Sequence, residues 1–325
     1  MKNLKFGTCL PAFGQCADRY VRSGYGPSYT LEEVFRRVAK VPDITGVELV
    51  GNWHINDDNF TEVTGLLKEL GLNVCMVVPD LWTQGKWGSG TFTAKDEKTR
   101  RESIEEVKKS MDWAADVGCR DVDVWLGQDG FDYPFQWDYI EAWEQIKEAL
   151  AECCDYRKDV NVLIEYKLKE PRTHLFVSTA GKTRLLINEV NRPNLGILCD
   201  IGHAQAAGEN PGEAVAMCNE LLWGLHINDN YDMWDDDMMF ASVHTIEALE
   251  AIYWLDRVGY KDYYTLDMNP YREDGIAMAQ ESVDWVKGFF SVIDDVGRDK
   301  IAEIIKEGDA TKMSRMMREI VCGKR

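Results

Sequence analysis

Glu165, Asp200, His226 and Asp267 each stand at the end of a short apolar run, in Leu-Ile-Glu-Tyr-Lys, Leu-Cys-Asp-Ile-Gly-His, Gly-Leu-His-Ile-Asn-Asp and Thr-Leu-Asp-Met-Asn-Pro. Three carboxylates and an imidazole are cation-ligand types. Buried together without a cation they would repel, at a cost of several kcal/mol, or take up protons. Oxygen donors with one imidazole suit a hard divalent ion such as Mn²⁺, the expected cofactor, or Mg²⁺ or Co²⁺, better than a thiol-rich zinc site. Such an ion polarises a carbonyl, acidifies the adjacent C–H or hydroxyl and stabilises the oxyanion that forms. The bland alternative is four unrelated polar residues satisfied by loop hydrogen bonds.

What would bring them together is a closed parallel sheet. Apolar, β-rich runs at 5–12, 46–51, 73–79, 121–127, 161–167, 195–201, 222–228 and 263–268 alternate with segments of helical periodicity. Thr30–Val41, Asp96–Val117, Gln136–Cys154 and Val243–Val258 repeat apolar residues every three or four positions, and each is long enough for a right-handed crossover. Gly71, Gly118 and Gly259 follow helical patterns as C-terminal stops. Eight strand–helix units predict a (β/α)8 TIM barrel over 1–297, with 298–325 as a C-terminal extension forming one extra helix, whose Met-bearing stripe packs on the barrel or on a partner. In such a barrel, residues at the C-terminal ends of the strands face one pocket, and the four ligand candidates come from consecutive strands. An open Rossmann sheet would need a glycine fingerprint after the first strand, and Gly7 and Gly14 lack that spacing.

Composition narrows the partners. The formal charge of −19, from 56 acidic against 37 basic residues, repels nucleic acid and anionic membrane surfaces. Nine scattered cysteines, with no CxxC pair, read as buried reduced thiols in a cytoplasmic protein. No apolar stretch approaches the roughly 20 residues that a membrane span requires.

The segments Ile164-Glu165-Tyr166-Lys167-Leu168-Lys169-Glu170-Pro171, Asp200-Ile201-Gly202-His203 and His226-Ile227-Asn228-Asp229, followed by Asp235-Asp236-Asp237, resemble those of the xylose-isomerase-like barrels. These include rhamnose isomerase and the ketose 3-epimerases. Trp125-Leu126-Gly127-Gln128-Asp129-Gly130 resembles the fourth-strand segment of the rhamnose-isomerase type. The resemblance implies a divalent metal on Glu165, Asp200, His226 and Asp267, with Lys167 and His203 reaching sugar oxygens and Glu165, Lys167, His203 and Asp267 taking part in catalysis. It also implies a possible second ion on His203, Asp235 and Asp237, unless that acidic run is simply solvated. Asp267 departs from the Glu of the ketose 3-epimerases and matches the rhamnose-isomerase arrangement.

His54 stands where related isomerases keep a ring-opening histidine, and it reads equally well as an ordinary loop residue. His174 and His244 lie in loop-like contexts that reach substrate or face water. Trp82 and Trp125 are candidate substrate contacts; the aromatic loop 80–87 that carries Trp82 suits stacking on a sugar or an aromatic aglycone, or packing against a neighbouring loop. The implied function is a metal-dependent isomerase or epimerase of an unphosphorylated sugar, since no Gly-rich anion cradle follows the last two strands. The alternative is the catalytic α subunit of a C-glycoside deglycosidase, which eliminates an aglycone from a 3-keto sugar. Homo-oligomerisation or a small β subunit is compatible with either. Glu165→Gln and Asp267→Asn are expected to fold normally yet lose the metal; full occupancy in both variants, measured by metal analysis, would refute the ligand assignment.

Overall fold

The computed structural model describes residues 3–18 and 20–323. Eight strands close into a barrel: β1 (Lys5–Thr8), β2 (Ile44–Val50), β3 (Asn73–Val78), β4 (Asp121–Trp125), β5 (Asn161–Glu165), β6 (Leu195–Asp200), β7 (Leu222–Ile227) and β8 (Tyr263–Leu266). Each runs parallel to the next, and β8 closes on β1 with Lys5 opposite Tyr263 and Thr8 opposite Leu266. The expected (β/α)8 barrel is present, with strands shorter than the apolar runs suggested except β2, which starts two residues earlier than its run and ends one earlier. The first run stops at Thr8 because residues 10–13 tighten into a 3₁₀ turn, where Pro11 has no N–H to give a ladder. The sixth stops at Asp200, whose side chain caps the helix Ile201–Ala206 by accepting the His203 N–H at 2.7 Å.

The crossover helices begin and end where their side chains dictate. Thr30 and Glu33 form a capping box at the start of Leu31–Val38, and Asp96 caps Glu97–Asp116 through the Thr99 N–H. Gly71, Gly118 and Gly259 all take positive φ, at 72°, 75° and 80°, as stop residues. The helices cover the outer faces of the strands with one continuous apolar core, in which Phe35, Val107, Ile146, Leu186, Ile252 and Val286 are fully buried.

Inside the barrel, below the pocket, Met76, Leu163 and Leu198 form a separate apolar plug. Gly224 makes room for it, since a Cβ there would lie 2.9 Å from Leu163 Cδ1 and 3.0 Å from Leu198 Cγ. The C-terminal extension is two helices rather than one, Arg298–Glu307 and Ala310–Cys322. Gly308 breaks it at φ 64°, and Asp309 caps the second helix. Ile301 and Met316 are buried against the barrel core, while Ile305, Met313 and Val321 stay exposed.

All nine cysteines are free, seven of them buried, with Cys9 partly buried and Cys322 exposed. No helix among the described residues is long and apolar enough to cross a membrane. Gly224→Val should overpack the plug and lower stability by about 1–3 kcal/mol, read as the shift of a urea unfolding midpoint; an unchanged midpoint would mean the plug is loose.

Candidate active site

Adjacent strands deliver the ligand candidates at one level. His226 on β7 is the register partner of Asp200 on β6, Trp125 on β4 is that of Glu165 on β5, and Asp267 lies one residue beyond β8. Potential ligand atoms of Glu165, Asp200, His226 and Asp267 all lie within 4.8 Å of one another. His226 Nδ1 is 3.2 Å from Glu165 Oε1, 3.7 Å from Asp267 Oδ2 and 3.8 Å from Asp200 Oδ2. Asp200 is held from both sides, accepting from the His203 N–H at 2.7 Å and from Asn228 Nδ2 at 2.9 Å. That packing requires Gly202, because a Cβ there would sit 1.9 Å from Asn228 Oδ1.

Glu165, His226 and Asp267 floor a cavity of about 860 Å³, while Asp200 is fully buried, and the cavity walls include Trp53, His54, Trp82, Trp125, Lys167 and His203. Electrostatics on the floor are lopsided. Burial and the neighbouring Asp200, Glu165 and Asp235 push the Asp267 carboxyl up to about 6, against the pull of His226. Burial likewise raises Asp200 and, further, Asp123 beside Glu165 and Glu48. Burial would raise Glu165 too, but His226, His203 and Lys167 outweigh it and hold this group below its ordinary value. Asp123 Oδ1 is buried without a hydrogen-bond partner. Three crowded carboxylates and one imidazole fit a hard divalent cation, whose ligands would be Glu165, Asp200, His226 and Asp267.

Lys167 and His203 supply fixed positive charge. Burial opposes the charged form of Lys167, but Asp235 at 2.6 Å and Glu170 at 2.5 Å raise its pKa well above the ordinary lysine value. Its ammonium lies 5.2 Å from the centre of the Trp125 ring, and Trp125 meets Trp82 edge-on at 5.2 Å. His203 donates Nδ1–H to the Tyr166 carbonyl at 3.0 Å and Nε2–H to Asp235 at 3.2 Å. Burial again opposes this charge, yet Asp200 and Asp235 lift the imidazole pKa to about 10.

The trio expected for a second ion is therefore only half gathered. His203 and Asp235 meet, but both nitrogens of His203 are engaged and the Lys167 ammonium sits on Asp235. Asp237 turns to Asn269, whose Nδ2 donates to it at 2.7 Å. Among the described residues, no cluster of three ligand atoms unites His203, Asp235 and Asp237.

His54 lines the pocket, and its Nδ1 accepts the Val50 N–H at 3.0 Å, so the proton of the neutral ring is on Nε2. His174 is exposed and stacks on Phe131 in a small antiparallel sheet made by residues 130–131, 169–170 and 173–175. His244 pairs with Asp229 at 2.9 Å and does not line the pocket. The 80–87 loop is tied down by Asp80, which accepts from Thr83 and Gln84. Residues 91–93, further along the same connection, are tied by Asp129, which accepts from the N–H groups of Thr91 and Thr93.

The sequence reading missed Glu48, Asp123 and Cys9. Glu48 and Asp123 are single acids inside the apolar runs Val47-Glu48-Leu49 and Val122-Asp123-Val124, and that interruption was the available signal. Both are buried on the pocket floor, and Cys9 lies beside them.

A model of the xylose isomerase-like TIM barrel family matches residues 35–289. The chain belongs to this family. Solved structures agree on the fold of this xylose isomerase-like barrel. A D-tagatose 3-epimerase-like protein aligns with TM-score 0.70 at 17% identity, over 90% of this chain and 99% of its own. A 3-keto-D-glucoside 4-epimerase from E. coli aligns with TM-score 0.68 at 18% identity, over 88% and 100%. A D-psicose 3-epimerase from Clostridium cellulolyticum H10 aligns with TM-score 0.68 at 14% identity, over 88% and 99%.

Burial lowers the His54 pKa from 6.5 to about 4. A neutral buried ring stabilises the fold fully above pH 6.5, and that contribution is lost as pH falls from there towards 4. His54→Asn, whose side-chain oxygen can still accept the Val50 N–H, lacks this titration. The stability difference between wild type and variant should therefore shift against wild type, by on the order of 3 kcal/mol, between pH 7 and 4 in urea titrations. Parallel pH profiles would show that His54 is hydrated and titrates normally.

Proposed function

We propose that this protein is a divalent-metal-dependent sugar isomerase or epimerase that moves a proton beside a sugar carbonyl. The observation that carries the reading is the convergence of Glu165, Asp200, His226 and Asp267, with ligand atoms within 4.8 Å of one another, the first and the last two lining a polar–aromatic cavity. The sugar epimerases among its structural neighbours support it. Bound there, the cation would polarise a carbonyl and an adjacent hydroxyl and stabilise the developing negative charge.

The protein's own groups supply the rest. Glu165, which His226, His203 and Lys167 keep ionised against burial, would take the proton, and Asp267 would pair with it to return one. Lys167 and His203, both paired with Asp235, add positive charge to the pocket wall, and His54 offers a neutral Nε2–H donor from the opposite wall. Trp82 and Trp125 give the ring a flat apolar surface.

The wide aromatic mouth favours a second reading, in which the same proton removal expels an aglycone from a 3-keto C-glycoside with the help of a small partner subunit. Tyr29, Trp53 and Trp82 line a cavity of about 860 Å³, which is large for a single sugar ring.

The test is metal analysis of the purified protein, followed by solvent deuterium incorporation into free sugars and 3-keto C-glycosides with and without Mn²⁺. Mn²⁺-dependent exchange into a free sugar is the expected result. Exchange or aglycone release confined to the oxidised glycosides would select the second reading, and a protein that takes up no divalent metal would exclude both.

A further inference from the structure

The four-ligand cluster explains only one nitrogen of His226. The other, Nε2, lies 3.1 and 3.2 Å from the two carboxylate oxygens of Glu48. The contact is made across the barrel, since Glu48 is on β2 and His226 on β7, strands that share no ladder. Glu48 is 2% exposed, and among the described residues its ion-pair partner is His226, with no Lys or Arg at hand. A buried carboxylate without such a partner costs several kcal/mol. Its second contact, from Cys9 Sγ at 3.5 Å to Oε2, pins the carboxylate in place without neutralising it.

We infer that Glu48 is a positioning residue: it accepts the Nε2 proton of His226, so that Nδ1 presents its lone pair to the cation held with Glu165, Asp200 and Asp267. The inference rests on the metal reading above. A neutral imidazole has one N–H and one lone pair, so fixing the proton on Nε2 fixes the ligand nitrogen as Nδ1. The adjacent negative charge also makes Nδ1 a stronger donor, and partners of this kind typically contribute 10–100-fold to metal affinity. Nδ1 already faces the three acids, at 3.2, 3.7 and 3.8 Å.

Glu48, Asp123 and His226 also bring ligand atoms within 4.8 Å of one another, and Asp123 Oδ1 has no partner. A second cation there is the rival explanation. It would need a lone pair on Nε2, where the hydrogen bond to Glu48 needs a proton, so the two arrangements exclude each other and predict different stoichiometry.

The full-length protein and its Glu48→Gln and Glu48→Ala variants are stripped of metal and titrated with Mn²⁺ by calorimetry. Thermal melts of the stripped proteins and visible spectra of their Co²⁺ forms accompany the titrations. The expected result is one Mn²⁺ per chain throughout, with Kd weaker by 10–100-fold in the Ala variant and by less in the Gln variant, whose amide oxygen still accepts the Nε2 proton. The stripped variants should melt no lower than wild type, because a buried charge has gone. The Co²⁺ bands should shift in the Ala variant and be preserved in the Gln variant. Two Mn²⁺ per chain in wild type, falling to one in the variants, would make Glu48 a ligand and overturn the inference. So would an unchanged Kd together with a lower melting temperature, the mark of a merely structural role. Wild type that binds no Mn²⁺ removes the metal reading and this inference together, whereas wild-type binding with the Ala variant unaffected removes this inference alone.

Discussion

The interior of this barrel is organised around mutual repulsion. Glu48, Asp123, Glu165, Asp200 and Asp267 converge on the single imidazole of His226, whose Nδ1 faces Glu165 and whose Nε2 faces Glu48. A fold that forces acids this close must confine them, because each would gain solvation by turning outward. Confinement comes from the closed sheet, which leaves strand-end side chains one direction to point, and from the apolar plug beneath, which denies them water from below. Asp200 shows the extent of the restraint, since one of its oxygens caps a helix and the other accepts from Asn228.

Most of this framework was legible in the sequence. Alternating apolar runs and amphipathic segments dictated eight units, and the ligand candidates were visible because Glu, Asp and His at the ends of such runs have no other business there. The discrepancies are local and physical. Pro11 and the capping role of Asp200 shorten strands that hydrophobicity alone would extend, and Gly308 splits a helix whose periodicity continues across the break.

What stayed hidden depends on which residues meet through space. Glu48 lies 178 positions from His226, and nothing in its neighbourhood announces a partner. The acidic run 235–237 looked like a unit, but a turn with Asp237 at φ 47° separates its members. Asp235 joins Lys167 and His203, while Asp237 joins Asn269. Lys167 thus brings, through its ammonium, the positive charge that the neighbourhood of Asp235 demands, a substitution of cation type that spacing alone does not reveal.

Asp129 has an effect that reaches beyond the floor. By accepting from Thr91 and Thr93 while its own carbonyl accepts the Phe176 N–H, this buried residue joins the connections after β3, β4 and β5 into one piece. The first loop, by contrast, meets the last strand's loop through a face-to-face stack of Tyr25 on Tyr271, with ring centroids 4.4 Å apart. The cavity therefore has one side fixed by a buried polar joint and one side held by a ring stack. Residues on the side of the first loop can be exchanged without breaking such a joint, so that wall can change shape at the least cost to the fold.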